Sequence, residues 1–253
     1  MPSPPRPVPP RLPTIEPLGD SALRIVLGDT LDPVVNQHAC ALADRIAAAA
    51  AAGHLPGVTD VLPVFTGVGV HYSAEAVPAD DAASPFAALV RRLEPLLPEP
   101  GGRLRRAAPR LVEIPVCYGG AHGPDLAQAA DACRVSPQEL TRLHQQPAEE
   151  QQVYMLGFAP GNPYIGRLDA ALAIPRRATP RTSLPLGSVC IANRQTVVYP
   201  LSAPGGWNMI GRTPLRLFDP RRAEPCLLRP GDRVRFHAID EAAFERAQAG
   251  AAA

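Results

Sequence analysis

The chain has 253 residues, enough for one large or two small domains that can each bury a core. Its formal net charge of +1 gives no electrostatic case for binding nucleic acid or a membrane surface, and no apolar run reaches the roughly 18 residues of a spanning helix. All 25 lysine-plus-arginine positions are arginine, so this chain itself can hold no Walker-type lysine, no Schiff-base lysine and no biotin.

Residues 1–13 are proline-rich and are expected to form a disordered or polyproline-like tail. They lack an apolar h-region, so no secretory signal is expected and the protein reads as soluble and cytoplasmic. A strand is predicted over 22–28. Asp32-Pro33 then supplies an N-cap and a proline at the first helical position, and Val35, Ala39, Leu42 and Ile46 fall on one helical face as far as Gly53. Strands at 58–65 and 67–72 lie close enough to form a hairpin. Ser84-Pro85 opens a second helix with Phe86, Leu89, Val90, Leu93 and Leu97 facing inward. The order β-α-β-β-α-β matches a split β-α-β arrangement. The strand at 111–117 either completes that sheet or opens the next domain. The predicted organisation is an α/β domain at 14–97, a linker at 98–109, a β domain at 110–240 and an Ala-rich tail at 241–253.

Past the linker, a short helix is predicted over 124–133. Ser136-Pro137-Gln138-Glu139 reads as a capping box before a helix carrying Leu140, Leu143 and His144. From Gln151 onward the segments are short, β-rich and punctuated by Gly and Pro. Strands at 153–156, 188–192, 195–199, 215–218 and 233–238 predict a compact barrel or orthogonal sandwich. The fold class is therefore α+β.

Chemistry concentrates in this second half. Arg176, Arg177 and Arg181 lie along a proline-bounded loop, and a guanidinium presents a planar fork of donors suited to carboxylate or phosphate. Pro204-Gly205-Gly206-Trp207 pairs glycines that let backbone approach a ligand with the chain's only tryptophan. Arg212 and Thr213 follow closely, and Gln195 and Tyr199 should share one face of a strand. Each of these has an ordinary structural reading beside the functional one. His71, at a strand end, is the acid/base candidate among six scattered histidines, none spaced as an i, i+4 metal pair, so no metal site is expected. The five cysteines have no CxxC pair and read as small hydrophobes, with Cys117 and Cys190 as the candidate thiols.

A family resemblance adds to this. Ile114-Pro115-Val116-Cys117-Tyr118-Gly119-Gly120, Gly123-Pro124-Asp125-Leu126, Tyr154-Met155-Leu156-Gly157-Phe158, the arginine loop from Pro175 to Thr182, Pro204-Gly205-Gly206-Trp207, Gly211-Arg212-Thr213-Pro214 and Leu228-Arg229-Pro230-Gly231-Asp232 follow one another along the chain. Together they resemble the KipI-like proteins, also called allophanate hydrolase subunit 1 or the B subunit of bacterial 5-oxoprolinase. The resemblance implies an N-terminal α/β domain and a C-terminal cyclophilin-like β-barrel. It implies two partners, the KipA-like C subunit plus the LamB/YcsF-like A subunit, in a complex that opens the small carboxylate 5-oxo-L-proline to L-glutamate with ATP. The matched Arg176, Arg177, Arg181, Gln195, Trp207, Arg212 and Thr213 then become pocket candidates. Arginines would hold a carboxylate or a phosphorylated intermediate, and glycine amides would stabilise developing oxyanions. The rival implications are a KipI-like inhibitor of a sensor histidine kinase and a component of allophanate or urea-carboxylase chemistry.

Two departures from the family pattern stand out. The chain has Asn162 and Arg167 where the pattern has Phe and Gly, and Asn193-Arg194 in a turn that usually carries glycines. Asn tolerates left-handed backbone, so the turn is expected to survive. Arg167 is expected to alter the pocket mouth or a partner surface.

Overall fold

The computed structural model describes residues 13–78, 81–98, 108–146 and 151–250. Residues 1–12 of the predicted tail at 1–13, most of the predicted linker and the last three residues lie outside them. The chain divides into two compact units, residues 1–107 and 108–253.

In the first unit β1 (Thr14–Pro17), β2 (Ala22–Val26), β3 (Val58–Val64) and β4 (Gly67–Tyr72) form one antiparallel sheet in the order β1-β2-β4-β3. Helix α1 (Pro33–Ala51) joins β2 to β3, and β4 is inserted between those two strands, which is the split β-α-β arrangement. Asp32 starts α1 by accepting from the amides of Val34 and Val35 at 2.7 and 3.2 Å. Its buried face carries Ala39, Leu42 and Ile46 as expected, with Asn36 rather than Val35 completing it. Asn36 Nδ2 donates to Phe65 O at 3.0 Å, tying the helix to the β3–β4 turn. Helix α2 (Pro85–Leu93) is capped by Ser84, whose Oγ accepts from Ala87 N at 3.2 Å, and it buries Leu89 and Leu93 in the same core as Leu23, Ile25, Val68 and Val70. Sequence reasoning missed β1. Its four residues end on a proline and show no alternation of their own, and only pairing with β2 makes them a strand.

In the second unit β5 (Leu111–Tyr118) leads into α3 (Leu126–Ala132) and α4 (Pro137–His144). The strands β6 (Gln152–Leu156), β7 (Pro163–Gly166), β8 (Arg181–Leu184), β9 (Ser188–Ala192), β10 (Gln195–Val198), β11 (Ala203–Gly205), β12 (Asn208–Arg212) and β13 (Arg233–Ala238) follow, and α5 (Glu241–Gly250) comes after them. Seven strands close into a barrel in the order β10-β7-β6-β13-β5-β12-β9, and β8 and β11 form a separate two-stranded ribbon. The barrel, and not an orthogonal sandwich, is the observed form. The strand at 111–117 belongs to it, because β5 pairs in parallel with β13 along six residues.

The strand expected at 215–218 is absent. Flanking Pro214 and Pro220 lack ladder donors, and only Phe218 makes an isolated bridge, to Cys226. Half of the predicted capping box forms: Ser136 Oγ accepts from Glu139 N at 3.1 Å, while the Glu139 carboxylate binds Arg142 instead.

The β9–β10 turn survives its departure from glycine. Asn193 and Arg194 both hold positive φ (50° and 63°), as a two-residue type I′ hairpin loop requires. Arg194 Nε donates to Leu168 O at 3.0 Å and Leu168 N to Arg194 O at 2.8 Å, which offsets the strain of a non-glycine residue there.

Strand alternation then builds two layers. Val189, Ile191, Val198, Ile114, Val116, Val234 and Phe236 share the main core, with Leu126, Ala129 and Leu140 of α3 and α4 packed into it. The residues between them on β9 and β10 (Cys190, Ala192, Val197 and, just beyond β10, Tyr199) join Leu184, Trp207 and Met209 in a second, smaller cluster that includes the β8–β11 ribbon. The candidate site belongs to this second layer.

Candidate functional site

A cavity of about 150 Å³ opens where that layer reaches the surface. Its walls are Trp207, Tyr164, Tyr199 and Val197. Pro204, Gly205 and Gly206 form one side, and Phe158, Asn162 and Arg176 stand with them. Trp207 is buried and meets Tyr164 edge-on at 6.1 Å between ring centroids. The Arg176 guanidinium stacks over the indole at 5.3 Å and has no carboxylate partner among the described residues. Burial pushes the Tyr199 hydroxyl up to about 12, reinforced by Cys190 and Tyr164 and opposed by Arg176. Tyr199 therefore stays a neutral donor at physiological pH.

Gly205 is a steric requirement of this wall. A Cβ there would lie 2.1 Å from Tyr199 Oη and 2.7 Å from Leu184 Cδ1. At Gly206 the nearest atom to an added Cβ is 3.6 Å away, an ordinary contact. Its role is in the backbone, where Gly206 O accepts from Arg177 N at 2.7 Å and fixes the arginine loop beside the tryptophan.

The three loop arginines separate. Arg177 Nη1 and Arg181 Nη2 donate to Asp125 Oδ1 at 2.7 and 2.5 Å, and Arg181 Nε reaches Oδ2 at 3.3 Å. Asp125 is 2% exposed, and its Oδ2 also accepts from Met209 N at 2.9 Å. Two of the expected anion-binding arginines are thus held away from the cavity by a carboxylate that sequence reasoning passed over. Its place just before α3 marks it as a helix cap, yet its side chain caps nothing. One carboxylate facing two guanidiniums leaves this cluster one positive charge in excess, close in sequence to Arg176.

Other expected site residues also serve elsewhere. Arg212 ends β12, five residues and roughly 16 Å of strand beyond Trp207. Its Nε and Nη2 donate to Leu186 O at 3.3 and 3.0 Å, and its guanidinium stacks on Phe244 of α5 at 5.3 Å. Thr213 is buried, with Oγ1 accepting from Leu215 N at 3.2 Å. Gln195 begins β10 in register with Gly166 and Ala192, and it lines none of the cavity. His71 is exposed on β4 of the first unit, opposite Ala22 and Asp60. Arg167 is exposed and is not part of the cavity wall, whereas Asn162 is. Burial raises both candidate thiols, Cys190 well above its ordinary range, so neither is poised as a thiolate. Among the described residues, no three His, Cys, Asp or Glu side chains converge as metal ligands.

A second polar feature joins α4 to two strands of the barrel. Tyr118 Oη lies 2.7 Å from His144 Nδ1, and His144 Nε2 lies 3.0 Å from Thr196 Oγ1. Burial drives His144 down to about 3 and Tyr118 upward, so both are neutral. Three widely separated residues make this chain, and no sequence spacing marks it.

Comparison with known proteins decides the family. The model for "Carboxyltransferase domain, subdomain C and D" matches residues 13–228. The chain belongs to this family. Among carboxyltransferase-domain relatives, the chain is 43% identical over 230 residues to the B subunit of 5-oxoprolinase from Bacillus subtilis (strain 168), covering 90% of this chain and 93% of that one. It is 57% identical over 127 residues to the B subunit of 5-oxoprolinase from Escherichia coli O157:H7, covering half of this chain and 57% of that protein. The crystal structure of TTHA0988 superposes with a TM-score of 0.71 at 35% identity over 87% of this chain, which spans only 40% of that longer one. The family that the motifs pointed to is the one the comparison returns.

Proposed function

We propose that this chain is the B subunit of an ATP-dependent 5-oxoprolinase, opening the ring amide of 5-oxo-L-proline to give L-glutamate. The observation that carries this is the match along 93% of the Bacillus protein of that name. The KipA-like C subunit together with the LamB/YcsF-like A subunit completes the enzyme, which works in the cytoplasm. Among the described residues no helix is long and apolar enough to cross a membrane.

Within this reading the chain contributes substrate recognition. Arg176, free of any carboxylate partner in the described residues, holds the substrate carboxylate, and the Tyr199 hydroxyl is a neutral donor for a carbonyl oxygen. The cavity suits a ligand smaller than ATP. At about 150 Å³ it falls well below the roughly 300 Å³ at which sites for drug-sized ligands begin, and Arg177 and Arg181 are committed to Asp125. Nucleotide chemistry is assigned to the other subunits.

The test is reconstitution. The purified chain should release no glutamate from 5-oxoproline by itself and should do so with both partner proteins and ATP. A full set of three proteins that shows no ATP-dependent glutamate release, alongside inhibition of a sensor kinase by this chain alone, would replace the enzyme reading with the regulatory one.

A further inference from the structure

Phe158 is 73% exposed, the most exposed large hydrophobic side chain among the described residues, and it stands at the cavity with Trp207 and Tyr164. Its backbone sits at φ +72°, a region that bulky L residues rarely occupy. The turn around it enforces this geometry. Gly157 N donates to Asn162 O at 3.0 Å, Asn162 Nδ2 donates back to Gly157 O at 3.0 Å, and Asn162 N donates to Ala159 O at 3.0 Å. Asn162 is itself 3% exposed and forms part of the cavity wall, so one buried amide both shapes the site and holds the turn. A strained aromatic held in solvent costs free energy twice, through its backbone and through its unburied ring, and such outliers cluster at ligand clamps.

We propose that Phe158 is a ligand-clamping, specificity-determining residue, and that with Trp207 it selects a small flat ring while Arg176 reads an attached carboxylate. This rests on the proposed carboxylate role of the cavity and goes further. The isolated chain binds its ligand with no partner protein and no nucleotide, and the ring system, not the charge alone, is what it recognises. The lining supports that division of labour. Its aromatic residues offer faces and edges to a planar group, and Arg176 is the cation among them. The volume of about 150 Å³ suits a single small ring.

Trp207 is the chain's only tryptophan, so intrinsic fluorescence reports on this cavity directly. The isolated chain is titrated with 5-oxo-L-proline, with L-glutamate (carboxylate, no ring) and with 2-pyrrolidinone (ring, no carboxylate), and the affinities are checked by calorimetry. Saturable binding of 5-oxoproline alone is expected. Phe158→Ala should weaken it about tenfold with unchanged circular dichroism, and Phe158→Tyr should restore it. Arg176→Gln should reduce 5-oxoproline to the level of 2-pyrrolidinone. Equal responses to 5-oxoproline and glutamate, unchanged affinity in Phe158→Ala, or no binding by either method would each overturn the proposal. If the reconstituted enzyme turns over while the isolated chain binds nothing, the clamp is wrong and the 5-oxoprolinase reading stands. If the chain binds as described and the full set is inactive, it is the 5-oxoprolinase reading that fails.

Discussion

Arg177 Nη1 donates to Asp125 Oδ1 at 2.7 Å, and this bond determines what the arginine does. Arg176, its neighbour in sequence, stacks on Trp207 and faces the cavity. Adjacent residues of the same type thus hold two different positions, one ligand-facing and one structural, because a single buried carboxylate can satisfy only the guanidiniums that reach it.

Removing that carboxylate should be costly. Asp125→Asn keeps an acceptor for Met209 N but leaves Arg177 and Arg181, each less than about one-third exposed, without their counter-charge. Breaking a buried pair by deleting one partner costs about 3 kcal/mol. Urea unfolding should show a loss of that order, and a change below about 0.5 kcal/mol would show that solvent already screens the cluster.

The two arginines should separate in function. Arg176→Gln should leave the urea midpoint unchanged and weaken 5-oxoproline binding by about tenfold or more, the value of a charge-assisted hydrogen bond. Arg177→Gln should lower stability and change binding less. The opposite ranking would mean that the cluster around Asp125 opens to ligand.

The paired glycines should not be equivalent. Gly205→Ala pushes a methyl group to within 2.1 Å of Tyr199 Oη, an overpacking that costs about 1–3 kcal/mol and should shift the Trp207 emission. Gly206→Ala meets only an ordinary contact and should be tolerated. Thermal melts of both variants settle the comparison.

His144 should make the barrel acid-sensitive. An unfolded histidine titrates near 6.5, and the folded one only at about 3 because burial disfavours its charge. Between those values the unfolded state binds the extra proton, so stability is full above pH 6.5 and declines as the pH falls through that window. The contribution lost at pH 4 is about 3 kcal/mol. His144→Gln lacks this titration, so its stability should depend less on pH than the parent's. Parallel curves for the two proteins would remove His144 as the cause.

Much of the local architecture was legible in the sequence. Asp32-Pro33 and Ser84-Pro85 marked helix starts that the structure places at the same positions, because capping is decided by one side chain and the next few amides. Strand β13 follows local alternation and β9 is a short buried run after a Pro-Leu-Gly turn, and both were found with their observed bounds. The short strands β1, β7, β8, β11 and β12 were not, since three to five residues beside Gly or Pro show too little periodicity to separate from loop. Residues 215–218 failed in the opposite sense. Their apolar pattern reflects Leu217 filling the core from an irregular segment rather than a pleated strand.

The site was legible as a list but not as an arrangement. Composition and motif placed Arg176, Tyr199, Gly205, Gly206 and Trp207 together, and these do share one cavity wall. The same list included Arg177, Arg181, Gln195, Arg212 and Thr213, whose side chains are not part of that wall.

By itself, then, the sequence determined the α+β class, the family and the segment that carries the chemistry, all of which depend on local capping, alternation and ordered motifs. Only the tertiary structure decided which arginine faces the cavity and that Asp125 claims the other two. It alone showed that Phe158 stands strained and exposed at the cavity and that His144 is buried between Tyr118 and Thr196. Apart from the Phe158 turn, which residues 157–162 close locally, the physical reason is common. A side chain's role depends on which partner lies within hydrogen-bond or stacking distance, and here those partners lie about 30 to 80 positions away along the chain.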